Sequence, residues 1–226
     1  MTMWDTLAGN HTVDATGRIL TVASNDYTNY CSQAAGDKKS SGKWYYEVVL
    51  TTVTDASTVV IGLTAIPVAT FPGQVSGSYG YQATWKSNAY AKRVTANISE
   101  THGPNFGPGT AIGAGTVVGV AVDADNDRIY YSTNGLWRRY NNTTYGSPIL
   151  DVDLDLGHYS TSPIWPAIGA MVAGTVLTAN FAAADLIYDP PSGFLPWYEP
   201  IPVPILRIIS TYVENLTIQN PKDFHA

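Results

Sequence analysis

Between Val117 and Trp137 the chain reads VVGVAVDADNDRIYYSTNGLW, and few folds accommodate that run. Val118, Val120 and Val122 alternate with Gly119, Ala121 and Asp123, a period of two that puts three valines on one face of a strand. Asp125, Asn126 and Asp127 interrupt the alternation, because Asp and Asn side chains bond the nearby backbone and favour turns. A β-branched and aromatic pattern resumes from Arg128 to Ser132. Asn134-Gly135 closes it, a pair that tolerates the positive φ values of a two-residue hairpin turn. The stretch predicts a β-meander at the heart of an all-β domain.

The rest of the chain agrees with that class. In GKWYYEVVL, Trp44, Tyr46, Val48 and Leu50 share one face, and Tyr45, Glu47 and Val49 share the other. Trp44 is therefore expected in the core, and Trp4 under the domain edge. Thr12-Val13, Arg18 to Ala23, Val59 to Thr64, Tyr79 to Tyr81, Trp165 to Met171 and Val176 to Phe181 read as further strands. Ile149 to Leu156 alternates apolar residues with Asp151, Asp153 and Asp155, which suits a solvated edge. Gln82 to Gly115 does not alternate cleanly and reads as a long excursion, the kind of segment that carries binding function on a rigid scaffold. Asp189 to Gly193 (DPPSG) is a stop.

After it the texture changes. Pro196, Pro200, Pro202 and Pro204 make a stiff, extended linker. Ile205, Ile208, Ile209, Tyr212, Val213 and Leu216 then recur at three- and four-residue spacing, an amphipathic pattern with Pro204 suited to a helix start. The β-branched content leaves a strand open. Two units follow: a sandwich over 1–196, and a linker with a docking or oligomerisation segment over 197–226.

Only 12 residues are Lys or Arg and the net charge is −6, so no dense basic patch for duplex nucleic acid can be assembled. Cys31 is alone, which excludes an internal disulfide. No uninterrupted apolar run reaches membrane-span length, and the N-terminus has neither the basic nor the apolar region of a secretion signal. Five Asn-x-Ser/Thr matches, starting at Asn10, Asn97, Asn141, Asn142 and Asn215, read as chance in a chain rich in Asn and Thr.

Candidate chemistry is sparse. Asp123, Asp125 and Asp127 are spaced like calcium ligands, but the sixth position is Arg128 rather than Gly and the twelfth is Asn134 rather than Glu. A hairpin turn explains the same residues. His11, His102, His158 and His225 are scattered without a zinc spacing, and no nucleophile elbow or phosphate loop occurs. With only Glu47, Glu100, Glu199 and Glu214 as glutamates, an enzyme is not expected, nor a cofactor or metal. The best binding candidates are the aromatic and basic sets Trp85, Lys86, Tyr90, Arg93 and Trp137, Arg138, Arg139, Tyr140, since flat rings stack on sugars or peptides and Arg and Trp are frequent hot spots. The alternative for Trp85 and Trp137 is a place in the core or a hairpin.

The order of these motifs resembles a SPRY (B30.2-like) domain. The similarity is carried by Ser41 to Val48 (SGKWYYEV), Ile61-Gly62-Leu63, Tyr79-Gly80-Tyr81, the Val118 to Gly135 meander, Trp165 to Gly169 (WPAIG), Asn180-Phe181 and Pro190 to Phe194 (PPSGF). Ala182 stands where the family often has Gly after Asn-Phe. The resemblance implies a bent sandwich of two antiparallel sheets, lectin-like in topology, and a non-catalytic module whose loops bind a protein or glycan. The Thr/Asn/Gly-rich surface and the appendage are similar to SPRY-like domains of bacteriophage structural proteins. The expectation is a structural or attachment component of a phage particle, a homo-oligomer located in the virion. Its 197–226 arm would dock on neighbouring virion subunits, with a host-surface glycan or protein as further partner. A free, cytoplasmic adaptor binding a peptide, or a host-glycan-binding protein, are the alternatives.

Overall fold

A computed structural model describes residues 3–5, 10–25, 31–35, 38–53, 58–66, 71–72, 78–84, 90–95, 98–102, 113–138, 144–145 and 163–198. Strands are numbered in chain order. The first sheet runs β1 (Met3–Asp5), β4 (Cys31–Ala35), β14 (Trp165–Ala170), β6 (Thr58–Thr64), β7 (Ser78–Thr84), β8 (Tyr90–Thr95), β9 (Ile98–His102). The second runs β13 (Thr144–Tyr145), β12 (Leu136–Arg138), β11 (Arg128–Thr133), β10 (Val117–Asp123), β5 (Lys43–Thr52), β15 (Val176–Asn180), β3 (Ile19–Val22), β2 (His11–Val13). Every pairing along these paths is antiparallel; only the short β16 (Leu195–Pro196) lies parallel, beside the start of β5. The fold is the expected all-β sandwich. Among the described residues the one helical element is a 3-10 turn, Ala183–Asp185, and no helix is long and apolar enough to cross a membrane.

The meander forms as its pattern dictates. Val118, Val120 and Val122 are fully buried in the main core beside Tyr46, Val48 and Leu50 of β5 and opposite Ile61, Leu63 and Ile168 of the other sheet. Asn134 and Gly135 adopt φ 51 and 74, the paired left-handed conformation of a tight hairpin turn, and Asp127 takes φ 53 in the turn before it. Polar bonds also cross between the sheets. The Tyr46 hydroxyl donates to the Gly62 carbonyl, and burial holds that phenol well above its ordinary pKa, so it stays a donor. The His11 ring nitrogen Nε2 meets the Ala170 carbonyl at 2.8 Å.

Several sequence expectations are amended. Trp44 lies at the rim of the core rather than inside it: it is half-buried, its indole N–H donates to the Ser41 carbonyl, and it sits where β5 begins. The excursion from Gln82 to Gly115 contains two strands, β8 and β9, hidden from the alternation rule by Lys92 and Arg93. Arg93 lies opposite Glu100 in register, a cross-strand position suited to opposite charges. Asn10 is buried and its amide donates to the Ser24 carbonyl, so the first glycosylation match is closed to a glycan in the folded chain. The sandwich also extends past Pro196. The Trp197 N–H donates to the Tyr45 carbonyl and its ring is fully buried, while Tyr198 pairs with Phe181 and Ala182. The strand expected at Ile149 to Leu156, and the arm with Ile205, Ile208, Ile209, Tyr212, Val213 and Leu216, lie outside the described residues.

Candidate functional site

The outer face of the second sheet is where sequence and structure depart most. Tyr45, Glu47 and Val49 point away from the main core, yet Tyr45 and Glu47 are fully buried. The segment after β15 covers them. It turns through Ala183–Asp185, lays Leu186 and Phe194 over the sheet, and returns as β16 along β5. Tyr45, Ala121, Trp137 and Phe194 form a second small core beneath it, with Tyr130 and Leu186 at its edge.

Glu47 ties this return segment down. Its Oε1 accepts the Tyr45 hydroxyl at 2.9 Å and the Tyr188 N–H at 2.9 Å; its Oε2 accepts the Ile187 N–H at 2.8 Å and the Asn180 amide at 3.4 Å. Burial, then the Glu47 charge, push the Tyr45 phenol far above its ordinary pKa, which keeps its proton available to the carboxylate. Asn180 links onward to Arg18, whose guanidinium donates to the Asn180 side-chain oxygen at 2.7 Å and pairs with Asp185 at 2.7 Å. Two glycines make room. A Cβ on Gly119 would lie 2.3 Å from the Ser132 hydroxyl and 2.6 Å from that of Tyr45. One on Gly135 would lie 2.6 Å from the Tyr188 ring, which covers the Asn-Gly turn.

The acidic turn is likewise structural. The Asp123 carboxylate accepts the backbone and side-chain N–H groups of Asn126 at 3.1 and 2.9 Å and pairs with Lys43 at 2.9 Å. Asp125 accepts the Gly42 N–H at 2.9 Å. Among the described residues no three His, Cys, Asp or Glu side chains are grouped to hold a metal. Burial of Asp123 opposes its ionisation, but bonds from Lys43 and Asn126 and the Lys43 charge outweigh it, so it titrates below the ordinary 3.8. A carboxyl whose pKa is depressed by folding stabilises the fold above its unfolded pKa, and that stability is lost as pH falls through the folded value. In urea unfolding, the advantage of wild type over Asp123→Asn is therefore expected to hold at neutral pH. It should shrink as pH drops below about 4. An advantage independent of pH would contradict this role.

Of the residues singled out for binding, Trp137 is only 5% exposed and packs against Tyr45, ring centroids 6.0 Å apart; its place is the small core. Arg138 ends β12, and Tyr90 and Arg93 lie in β8. Trp85, Lys86, Arg139 and Tyr140 lie outside the described residues. The topology nevertheless puts the end of β7, the start of β8 and the Asn134-Gly135 turn at one end of the sandwich. Thr84 pairs with Thr58, next to the Val59–Ala170 pair that touches His11. On the other sheet, His11 pairs with Val22, which bonds Thr175 beside the Val176–Thr52 pair. Leu50 bonds Thr116 at that same end, where Asn134 bonds Val117.

Two stacked antiparallel sheets, with the buried acids Glu47 and Asp123 engaged in structural bonds, define a β-sandwich scaffold. The family model for the SPRY domain matches residues 43–149, and a SPRY domain generally serves protein–protein interaction. The strands at both ends of the described chain complete the two sheets around that matched span. Solved structures agree on the fold. The SPRY domain of human HERC1 is 14% identical with a TM-score of 0.53, covering 82% of this chain and 99% of that one. The TRIM65 PSpry domain is 13% identical with a TM-score of 0.52, covering 79% of this chain and 91% of that one. No curated protein matches significantly.

Proposed function

We infer that this chain is a non-enzymatic module that binds a protein partner through loops held on the sandwich. The observation that carries the reading is the SPRY match on a scaffold whose outer sheet face is covered around Tyr45, Glu47 and Trp137 by its own return segment. With that part of the face covered, loops at the ends of the strands are the natural place for recognition. The residues to test first are Trp85, Lys86, Tyr90, Arg93, Arg138 and Tyr140.

Two forms of this reading differ in setting. In one the chain is a structural or attachment component of a phage particle, docked through residues 199–226. The apolar spacing from Ile205 to Leu216 favours it, because such a stripe on a short segment needs a partner to bury it. In the other it is a free adaptor. Light scattering of the full chain beside a chain ending at Tyr198 separates them. Symmetric oligomers that become monomers on truncation support the docking arm; monomers in both cases support the adaptor. Incubation with host polysaccharide tests the glycan alternative, and cleavage there would overturn the non-enzymatic reading.

A further inference from the structure

The chain has a single Asn-Gly sequence, Asn134-Gly135, and it forms the turn between β11 and β12. A glycine leaves the backbone nitrogen after an asparagine unhindered, so this pair is the one most open to attack on its own side-chain amide. Asn134 is exposed, so water and base reach it. Two sets of contacts nevertheless hold it short of reaction. Its Oδ1 accepts the Val117 N–H at 2.9 Å while its own N–H donates to the Val117 carbonyl at 2.8 Å, which fixes side chain and backbone on β10. Ring closure requires Cβ to eclipse the Gly135 nitrogen about the Cα–C bond. A left-handed residue, as Asn134 is at φ 51, has ψ about +47° and cannot do so. The Tyr188 ring supplies the second contact: a Cβ on Gly135 would lie 2.6 Å from it, so the ring rests on the turn and opposes its rotation. Tyr188 is held in turn by its N–H bond to Glu47.

We propose that Asn134 is a latent deamidation site, kept closed by its Val117 bonds and the Tyr188 ring and opened when the return segment lifts. The Gly135 backbone nitrogen gives its proton to base and bonds to the Asn134 side-chain carbon. The carboxamide C–N bond breaks, and its nitrogen takes up a proton and leaves as ammonia, so that a cyclic succinimide remains. Water then adds across one of the two ring C–N bonds, hydroxyl to carbon and hydrogen to nitrogen. Opening at the side-chain carbon gives aspartate with the chain path restored. Opening at the main-chain carbonyl gives isoaspartate, which lengthens the main chain by one carbon. β12 is joined to β11 by the pairs Ser132–Trp137 and Thr133–Leu136, directly after this turn. The extra carbon disturbs that register, and with it the seat of Trp137 against Tyr45 and the position of Arg138. The inference does not rest on the binding reading, although the turn lies at the end assigned to recognition.

The experiment incubates the full chain at mildly alkaline pH, in buffer and in urea. Conversion at Asn134 is followed by peptide mass and by labelling with an isoaspartyl methyltransferase. Tyr188→Ala and Tyr188→Phe, each checked for an unchanged circular dichroism spectrum, are run beside wild type. Wild type is expected to convert roughly tenfold more slowly in buffer than in urea, because reaction waits on local opening. Tyr188→Ala should recover most of that factor, Tyr188→Phe, which keeps the ring, should not, and all three chains should convert alike in urea. The isoaspartyl product should unfold at lower urea than Asn134→Asp, which keeps an acceptor for the Val117 N–H. Equal wild-type rates in buffer and urea would overturn the closure, and that comparison needs no variant to fold. No acceleration in Tyr188→Ala, or equal acceleration in Tyr188→Phe, would overturn the part given to the ring. No conversion in either medium would overturn the site.

Discussion

Glu47→Ala is expected to lower the unfolding free energy by about 3–5 kcal/mol, the usual cost of breaking a buried, fully bonded charged network. The substitution strips four donors at once: the Tyr45 hydroxyl, the Asn180 amide and the backbone N–H groups of Ile187 and Tyr188. Each donor left buried without an acceptor costs about 1–3 kcal/mol, although they relax together and do not add. Glu47→Gln retains one acceptor oxygen but turns an NH2 group toward N–H donors, so about 1–3 kcal/mol is expected there. Urea unfolding measures both. Hydrogen exchange locates the damage: the Ile187 and Tyr188 amides should lose protection before those of Val118 and Val120 in the inner meander. Wild-type stability in Glu47→Ala would show that the return segment is held by its apolar contacts alone.

How much of this was legible in the sequence depends on what each residue needs from afar. The meander was legible because alternation and the Asn-Gly turn are local: Val118, Val120, Val122, Asn134 and Gly135 carry their own instructions. Alternation also assigned Tyr45 and Glu47 to the face opposite Tyr46, but a period of two does not say whether a face is covered. The cover comes from residues 133 to 141 positions away, and at Ile187 and Tyr188 it is supplied by backbone N–H groups, which leave no residue signature. A clue was present in Tyr45, Trp137 and Phe194, large rings that a solvated outer face does not require. The same gap explains Trp137. It resembled an exposed anchor because its neighbours Arg138 and Arg139 are cationic, whereas its own side chain packs against Tyr45 in the small core. Strands β8 and β9 were missed for a different reason, since charged residues mask a pattern rule built on apolar alternation.

The proline at 196 misled in a way that yields the sharpest test. Proline recurs at 196, 200, 202 and 204 and reads as a stiff, extended linker, which divides the chain there and assigns residues from 197 onward to the linker and docking segment. The structure uses that proline at the end of a short parallel pairing and places a fully buried Trp197 immediately after it. The Trp197 ring meets Tyr46 edge-on at 5.7 Å, and Tyr46 is itself bonded across to Gly62 of the opposite sheet. Removing the indole leaves a cavity at the centre of that contact, so Trp197→Ala is expected to cost about 3–5 kcal/mol. A chain ending at Pro196 should fare worse, because it also loses the Trp197 bond to Tyr45 and the Tyr198 bond to Phe181. A chain ending at Tyr198 should unfold cooperatively, with the full-length midpoint in urea, while the chain ending at Pro196 should show no cooperative transition. Matching midpoints for the two truncated chains would mean that Trp197 belongs to the arm rather than to the core, and that the domain does end where the prolines begin.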